Sequence, residues 1–282
     1  MTAGAGALLR RAGTWSRIGP EDAGWRFLTF AVERLEPGAP FEQALEGEET
    51  AVVLLSGSCT AEVDDERFSL GPRPGVFDAL PWTLYAPQGA RVRIETESGA
   101  DLAVASAPCE RRLTPVLQRP EEVEIEVRGA GNATRQINNM IQPGFPAERI
   151  LVVEVLTPAG NWSSYPPHKH DENRPPDEVV LEEVYYYRGP APEAFGIQRL
   201  YTREGDLDLT ETVRDGDLLI VPRGYHPFAA AHGYDFYYLN ALAGDFFSMA
   251  ASDDPDLAWA RAAWKDVERD PRVPLVTAGA AA

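Results

Sequence analysis

Every apolar stretch in this chain is short. The runs WRFLTFAVERL, TAVVLLSG, CTAEVDD, ARVRIETE, ADLAVAS, EVEIEVRG, RILVVEVLTP, EVYYYR, IQRLY, DLLIVP and YDFYYLNAL follow one another, and each ends at a proline, a glycine or a polar cluster. With 24 prolines and 24 glycines spread among them, the chain is punctuated for strands and turns rather than for long helices. The expected fold class is therefore all-β. One helix stands apart near the end: Asp254 and Pro255 suit an N-cap and a first-turn proline, and Leu257, Arg261, Trp264 and Val267 recur at helical spacing. Trp264 is its expected anchor against a sheet.

The chain also repeats its order. In the first half, strands lead through VFDALPWTLYAPQGARVRI with a turn at Pro87 and Gly89. In the second, EEVYYYRG leads through IQRLYTREGDLDLTETVRDGDLLIVPRGYHPF, with Pro222 and Gly224 in the matching place. A repeat of roughly 100 to 150 residues has the size of a small β-barrel. Two tandem β-domains are expected, residues 1–130 and 131–282, joined near RGAGNATRQ.

Charge narrows the class of partner. The net charge is -18, from 44 acids and 26 bases. Nucleic acid and anionic membrane are excluded as partners, because phosphate binding needs a basic surface. A small molecule or another protein remains, and an anionic small molecule would need a basic pocket built locally. Cys59 and Cys109 show no metal-type spacing and read as reduced thiols, which suits a cytoplasm. No apolar run approaches the ~18 residues of a membrane helix. MTAGAGALLRRAG lacks the apolar core of a signal peptide. Its Ala/Gly content, like that of the tail VTAGAAA, reads as mobile.

All four histidines, His168, His170, His226 and His232, are in the second half. In an extended strand residues i and i+2 share a face, so His168 and His170 aim together, a seat for a divalent transition metal. Glu183 shares a face with Tyr185 and Tyr187, while Glu182 faces the other way with Val184 and Tyr186. Trp162, Ser163 and Ser164 read as a turn before the histidines. A further donor, His226, follows the turn in VPRGYHPF.

His-x-His, a glutamate opening a strand, and Gly216, Pro222, Gly224 and His226 together resemble the two motifs of the cupin superfamily, small β-barrels that hold one metal with three histidines and a glutamate. The segment DENRPPDEVVLE separates the histidine pair from Glu183, which leaves Glu172, Glu178 and Glu182 as rival ligands. Only Tyr225 separates Gly224 from His226, where the general pattern has two residues. More narrowly, GNWSSYPPHKHD, LEEVYYYR, VPRGYHPF and GYDFYYLNALAGD, with GPEDAGWRFLTFAVERLEPG and VFDALPWTLYAP before them, resemble the bicupin family of 5-deoxy-glucuronate isomerases of myo-inositol catabolism and 4-deoxy-uronate ketol-isomerases.

The resemblance implies a bicupin with a metal-free first domain. It also implies ligands His168, His170, Glu183 and His226, with His232 outside the motif. The implied reaction is conversion of 5-deoxy-D-glucuronate to 5-dehydro-2-deoxy-D-gluconate. The donor set suits zinc, manganese, iron and nickel alike, and the related uronate isomerases point to zinc. Glu172 or Glu178 is the candidate general base, unless a hydride shift operates. Tyr185, Tyr187 or Tyr237 is the candidate proton relay, Tyr237 also touching substrate. Lys169, Arg174, Arg188 and Arg223 are candidates for the substrate carboxylate. The rival readings are a non-catalytic sugar-acid-binding bicupin and a cupin dioxygenase. Pairing through exposed strand edges would give a homo-oligomer.

Overall fold

The computed structural model describes residues 8–278. The expectation about the extreme ends of the chain falls outside these residues. From Leu8 onward, however, the leading segment is tied down: Leu8 and Leu9 are buried, and the strand Leu9–Arg10 pairs with Leu218 and Leu219.

Strands dominate both halves. The first half forms a nine-stranded sheet organised by one long strand, Glu48–Val63. The sequence suggests two strands here, TAVVLLSG and CTAEVDD; the structure runs them together through a bend. Residues up to Gly57 pair with Ala100–Pro108, and residues beyond it pair with Glu66–Arg73 and Arg91–Glu95. The register shifts between Leu54 and Ser56 against one partner and between Gly57 and Cys59 against the other. Gly57 has φ +88°, and a Cβ there would lie 2.2 Å from the Gly99 carbonyl oxygen, so only glycine permits the bend.

The second half forms a seven-stranded sheet in the order Leu9–Arg10, Leu218–Val221, Leu181–Arg188, Phe236–Gly244, Ile150–Thr157, Arg135–Ile141 and Glu124–Arg128. A four-stranded sheet accompanies it, built from Trp162–Ser163, Phe228–Ala230, Gly196–Tyr201 and Asp208–Val213. Glu124–Arg128 and Arg135–Ile141 make one antiparallel hairpin. A division at residue 130 therefore passes through that hairpin, and Leu9–Arg10 lies in the sheet of the other half.

The two halves share a core. Ala51, Val53 and Leu55 pack in one cluster with Ile150, Val152, Tyr186 and Tyr237, while Val52 and Leu54 point into the first half's own interior with Ile94 and Leu102. Burial on both faces explains why this strand reads as an unbroken apolar run rather than an alternating one. Carboxylates stitch the contact in both directions. Glu49 accepts the backbone N–H groups of Glu148, Arg149 and Ile150 at 2.9, 2.6 and 2.8 Å. Glu182 accepts those of Arg26, Phe27 and Leu28 at 2.6, 2.9 and 2.8 Å. Between them Arg73 and Glu154 form a fully buried ion pair at 2.9 Å.

The terminal helix is shorter than its spacing suggests. Asp254 caps the turn that precedes it, taking the Asp256 N–H on its side chain and the Ala258 N–H on its carbonyl, while the helix itself starts at Trp259 with Ala258 as its N-cap. Only Trp259–Ala263 is α-helical, however, and Trp264–Asp266 tightens into a 3-10 turn that leaves Val267 50% exposed. Trp264 faces Arg135 and Arg261 instead of an apolar sheet, with ring centroids 5.6 and 5.4 Å from the guanidinium carbons.

Candidate metal centre

Three stretches of backbone bring the histidines together. His168–Lys169 is a short strand paired with Ser252–Asp253. His170 follows it and is bound to the next strand through its backbone and its ring: the Leu181 N–H donates to the His170 carbonyl at 3.0 Å, and His170 Nδ1 donates to the Leu181 carbonyl at 3.1 Å. Glu183 lies one period of the pleat beyond Leu181, on the same face as Tyr185 and Tyr187. His226 emerges from the turn at Gly224, and its Nδ1 donates to the Gly224 carbonyl at 2.9 Å.

Those carbonyls can only accept, so each ring carries its proton on Nδ1 and presents a lone pair at Nε2. His170 Nε2 is 3.0 Å from Glu183 Oε2, and His226 Nε2 is 3.4 Å from the same oxygen. His226 is fully buried and its Nε2 has no hydrogen-bond partner among the described residues. Ligand atoms of His170, Glu183 and His226 all lie within 4.8 Å of one another. The half-buried His168 lines the same cavity with its ring centroid 4.6 Å from that of His226, but its ligand atoms lie outside that cluster of three. Acceptors converging on acceptors, with the Leu181 and Gly224 carbonyls fixing the tautomers, fit a divalent cation.

Electrostatics separates the three rings. Burial holds His168 and His226 down at about 3, so both rings are neutral ligands at neutral pH. Burial also disfavours charge on His170, but the hydrogen bond and charge of Glu183 outweigh it and raise its pKa.

The centre opens into a cavity of about 240 Å³, below the roughly 300–1,000 Å³ of drug-sized sites and suited to one small molecule. Ser164, Tyr185, Tyr238, Asn139, Asn240 and Asp253 line it. Ser164 sits in the left-handed region at φ 49°, a local cost of about 1–2 kcal/mol. That conformation brings its hydroxyl to 2.9 Å from Tyr185 Oη and 3.4 Å from Tyr238 Oη.

Several expected residues lie elsewhere. Glu178 is fully buried beneath the loop, accepting from Lys169, Arg174 and the backbone N–H groups of Asp171 and Glu172. Glu172 is on the surface, paired with Lys169 and Arg174. Both carboxylates organise the loop and neither lines the cavity. Tyr187 is deeper in the barrel, donating to Gln198 at 2.9 Å. Tyr237 turns to the other face, donating to Glu154 at 2.9 Å. Arg188 pairs with Asp215 and Arg223 with Asp206. His232 is in an exposed turn. The cavity's arginines are instead Arg128, Arg135 and Arg261. The RGAGNATRQ stretch, read as a linker, hides the first two. Asn139 in RQINNMI, a polar residue inside an otherwise strand-like run, is the signal that marks this strand as a site wall, its neighbour Asn138 serving the buried Glu154 instead.

A sequence profile of the KduI/IolB family matches residues 7–260. The chain belongs to the KduI/IolB family. Relatives in this family include the 5-deoxy-glucuronate isomerase of Geobacillus thermodenitrificans (strain NG80-2), 40% identical over 245 residues, covering 86% of this chain and 89% of that protein. The protein of the same name from Halalkalibacterium halodurans is 37% identical over 242 residues, covering 85% and 90%. Among solved structures, an IolB-like protein from Salmonella typhimurium LT2 superposes with a TM-score of 0.87 at 36% identity, covering 90% of this chain and 98% of that one. Lactobacillus farciminis oxalate decarboxylase superposes with a TM-score of 0.63 at 11% identity, covering 87% and 88%, a likeness of fold alone. The fold is a bicupin.

Proposed function

We propose that this chain is a metal-dependent aldose–ketose isomerase that converts 5-deoxy-D-glucuronate to 5-dehydro-2-deoxy-D-gluconate. The observation that carries the reading is the convergence of His170 Nε2, His226 Nε2 and Glu183 Oε2 on one buried point, in a family whose relatives bear the name of this isomerase. The reaction moves a hydrogen between adjacent carbons while the carbonyl moves the other way. A divalent ion held by His168, His170, Glu183 and His226, zinc in our reading, supplies when bound a positive charge that stabilises the developing negative oxygen.

The rest falls to the protein's own side chains. Burial, reinforced by the charge of Glu183, keeps the Tyr185 hydroxyl protonated far above neutrality, and burial does the same for Tyr238. These two hydroxyls and Ser164 form a cluster that donates to a substrate hydroxyl and relays its proton. Asn139 and Asn240 present amides to the remaining hydroxyls. With Glu172 and Glu178 outside the cavity, Asp253 is the carboxylate left to carry a proton between the two carbons. Two buried, unpaired thiols, Cys59 and Cys109, agree with a cytoplasmic setting, and myo-inositol breakdown is the pathway that the substrate implies. Among the described residues no helix is long and apolar enough to cross a membrane.

The test is elemental analysis of the purified protein and of its H168A/H170A variant, both assayed for 5-deoxy-glucuronate isomerisation. The expected result is about one ion per chain, as a single four-ligand site requires, lost together with turnover in the variant. Stoichiometric metal without turnover of any uronate overturns the isomerase in favour of a binder or an oxygenase.

A further inference from the structure

Three arginines reach the cavity, and two of them are already neutralised. Arg128 holds Glu126 through Nε and Nη2 at 2.6 and 2.7 Å. Arg261 holds Asp253 through the same two nitrogens, both at 2.8 Å. Arg135 is the most buried of the three, with 4% of its surface exposed, and it pairs with no carboxylate among the described residues. Its Nη1 donates to the carbonyls of Ala133 and Tyr165 at 3.0 and 3.1 Å, and the Trp264 ring lies 5.6 Å from its Cζ. These contacts fix the plane of the guanidinium without cancelling its charge. They leave its Nε/Nη2 edge, the edge with which both neighbours grip a carboxylate, without an acceptor among the described residues.

A buried ion without a counter-charge is costly. In a chain with 44 acids and 26 bases, its absence here points to a partner that arrives from outside. The guanidinium fork matches a carboxylate in two parallel hydrogen bonds. We propose that Arg135 binds the carboxylate of the substrate through its Nε/Nη2 edge, at the end of the molecule remote from the reacting carbons. The assignment rests on the uronate reading above and deepens it: Arg135 is what makes the site choose a sugar acid over a neutral sugar. It also supplies the local positive charge that an anionic ligand needs in order to approach so acidic a protein.

The test uses two probes that cannot isomerise, 5-deoxy-glucuronate with its aldehyde reduced to the alcohol, and the same compound with its carboxylate also replaced by CH₂OH. Calorimetry on the metal-loaded protein gives the preference for acid over alcohol. The wild type is expected to bind the acid roughly 10- to 100-fold more tightly, as for a charge-assisted hydrogen-bonded pair, and R135M to bind both alike. R135K retains the charge but not the fork, and is expected to lose part of the preference. A wild type without preference, or a folded R135M or R135K with the full wild-type preference, overturns the assignment. R135K and the wild-type comparison carry the test if R135M does not fold. Turnover with no acid preference defeats Arg135 and leaves the isomerase standing. A strong acid preference that R135M abolishes, with no turnover of any uronate, does the reverse.

Discussion

Tyr237 and Tyr238 are adjacent in one strand and serve opposite sides of the sheet, Tyr238 at the cavity with Ser164 and Tyr237 at the contact between halves with Glu154. Their phenylalanine variants should therefore fail in different ways. Y238F removes a cavity hydroxyl and is expected to lower kcat on the order of 100-fold, the lower range for a proton-transfer group, and to cost only about 0.5–1.5 kcal/mol of stability, the worth of the neutral hydrogen bond it donates to Ser163 Oγ at 3.0 Å. Y237F should keep kcat and lose about 1.5–3 kcal/mol of stability, the worth of a hydrogen bond to a charged group. Steady-state kinetics and denaturant titration of the pair decide it.

Asp253 separates two routes of hydrogen transfer. If a base carries the proton between carbons, D253N should lower kcat by roughly 100-fold or more, and solvent deuterium should enter the product of the wild-type reaction. An unchanged kcat with no deuterium incorporation would falsify the base and select a hydride shift.

Gly224 fixes His226 from a backbone position that few side chains tolerate. Its φ is +80°, a Cβ there would stand 2.5 Å from the Tyr201 carbonyl oxygen, and its own carbonyl orients the His226 ring. G224A is expected to cost at least about 1–2 kcal/mol from the left-handed conformation alone. It should also weaken metal retention roughly 10- to 100-fold, as loss of a ligand-orienting contact does. Chelator competition beside a melting curve reads both.

Glu178 makes the stability depend on acid. Burial alone would raise its pKa, but the hydroxyl of Ser252, the Lys169 ammonium and two backbone N–H groups overcome this and hold it at about 2, below its ordinary 4.5. A carboxylate lowered on folding stabilises fully above its unfolded pKa and loses that contribution as pH falls to the folded one. The stability difference between wild type and E178Q should therefore be constant above pH 4.5 and shrink between about 4.5 and 2. Denaturant titrations across that range measure it, and a difference independent of pH throughout would refute the ionic role.

The ion pair of Arg73 and Glu154 is sealed between the halves. R73M alone strands the Glu154 carboxylate and is expected to cost about 3–5 kcal/mol, whereas R73M/E154M should recover much of that loss. A double-mutant cycle by chemical denaturation reports the coupling.

Where one face of a strand is marked, the sequence told parity correctly. Glu183 and Tyr185 share the cavity face while Glu182 turns away, as period two requires. Parity fails in Phe236–Gly244 because every residue in it is buried. With both faces covered, no alternation distinguishes Tyr237 from Tyr238. The two loop glutamates lie outside the cavity for a different reason: Lys169, Arg174 and the backbone of Asp171 and Glu172 draw Glu178 inward beneath the loop, and no spacing rule reports such a network. Arg135 is hard to recognise in the sequence because its strand, RQINNMI, carries Arg, Gln and two Asn among its first five residues, a polar composition like that of a linker. Here those residues are polar because they face a cavity or a buried partner: Gln136 accepts the N–H groups of Leu275 and Val276, and Asn138 donates to Glu154.

The pairing of Leu9 with Leu219 sets an order of events during synthesis. The strand Leu9–Arg10 is made well before its partner, which follows the whole first barrel and most of the second. Contacts so distant in sequence form late and slowly. The sheet that carries Glu183 therefore acquires this edge strand only after Leu218–Val221 has been made, and a nascent chain stalled before Leu218 offers the strand Leu9–Arg10 no partner.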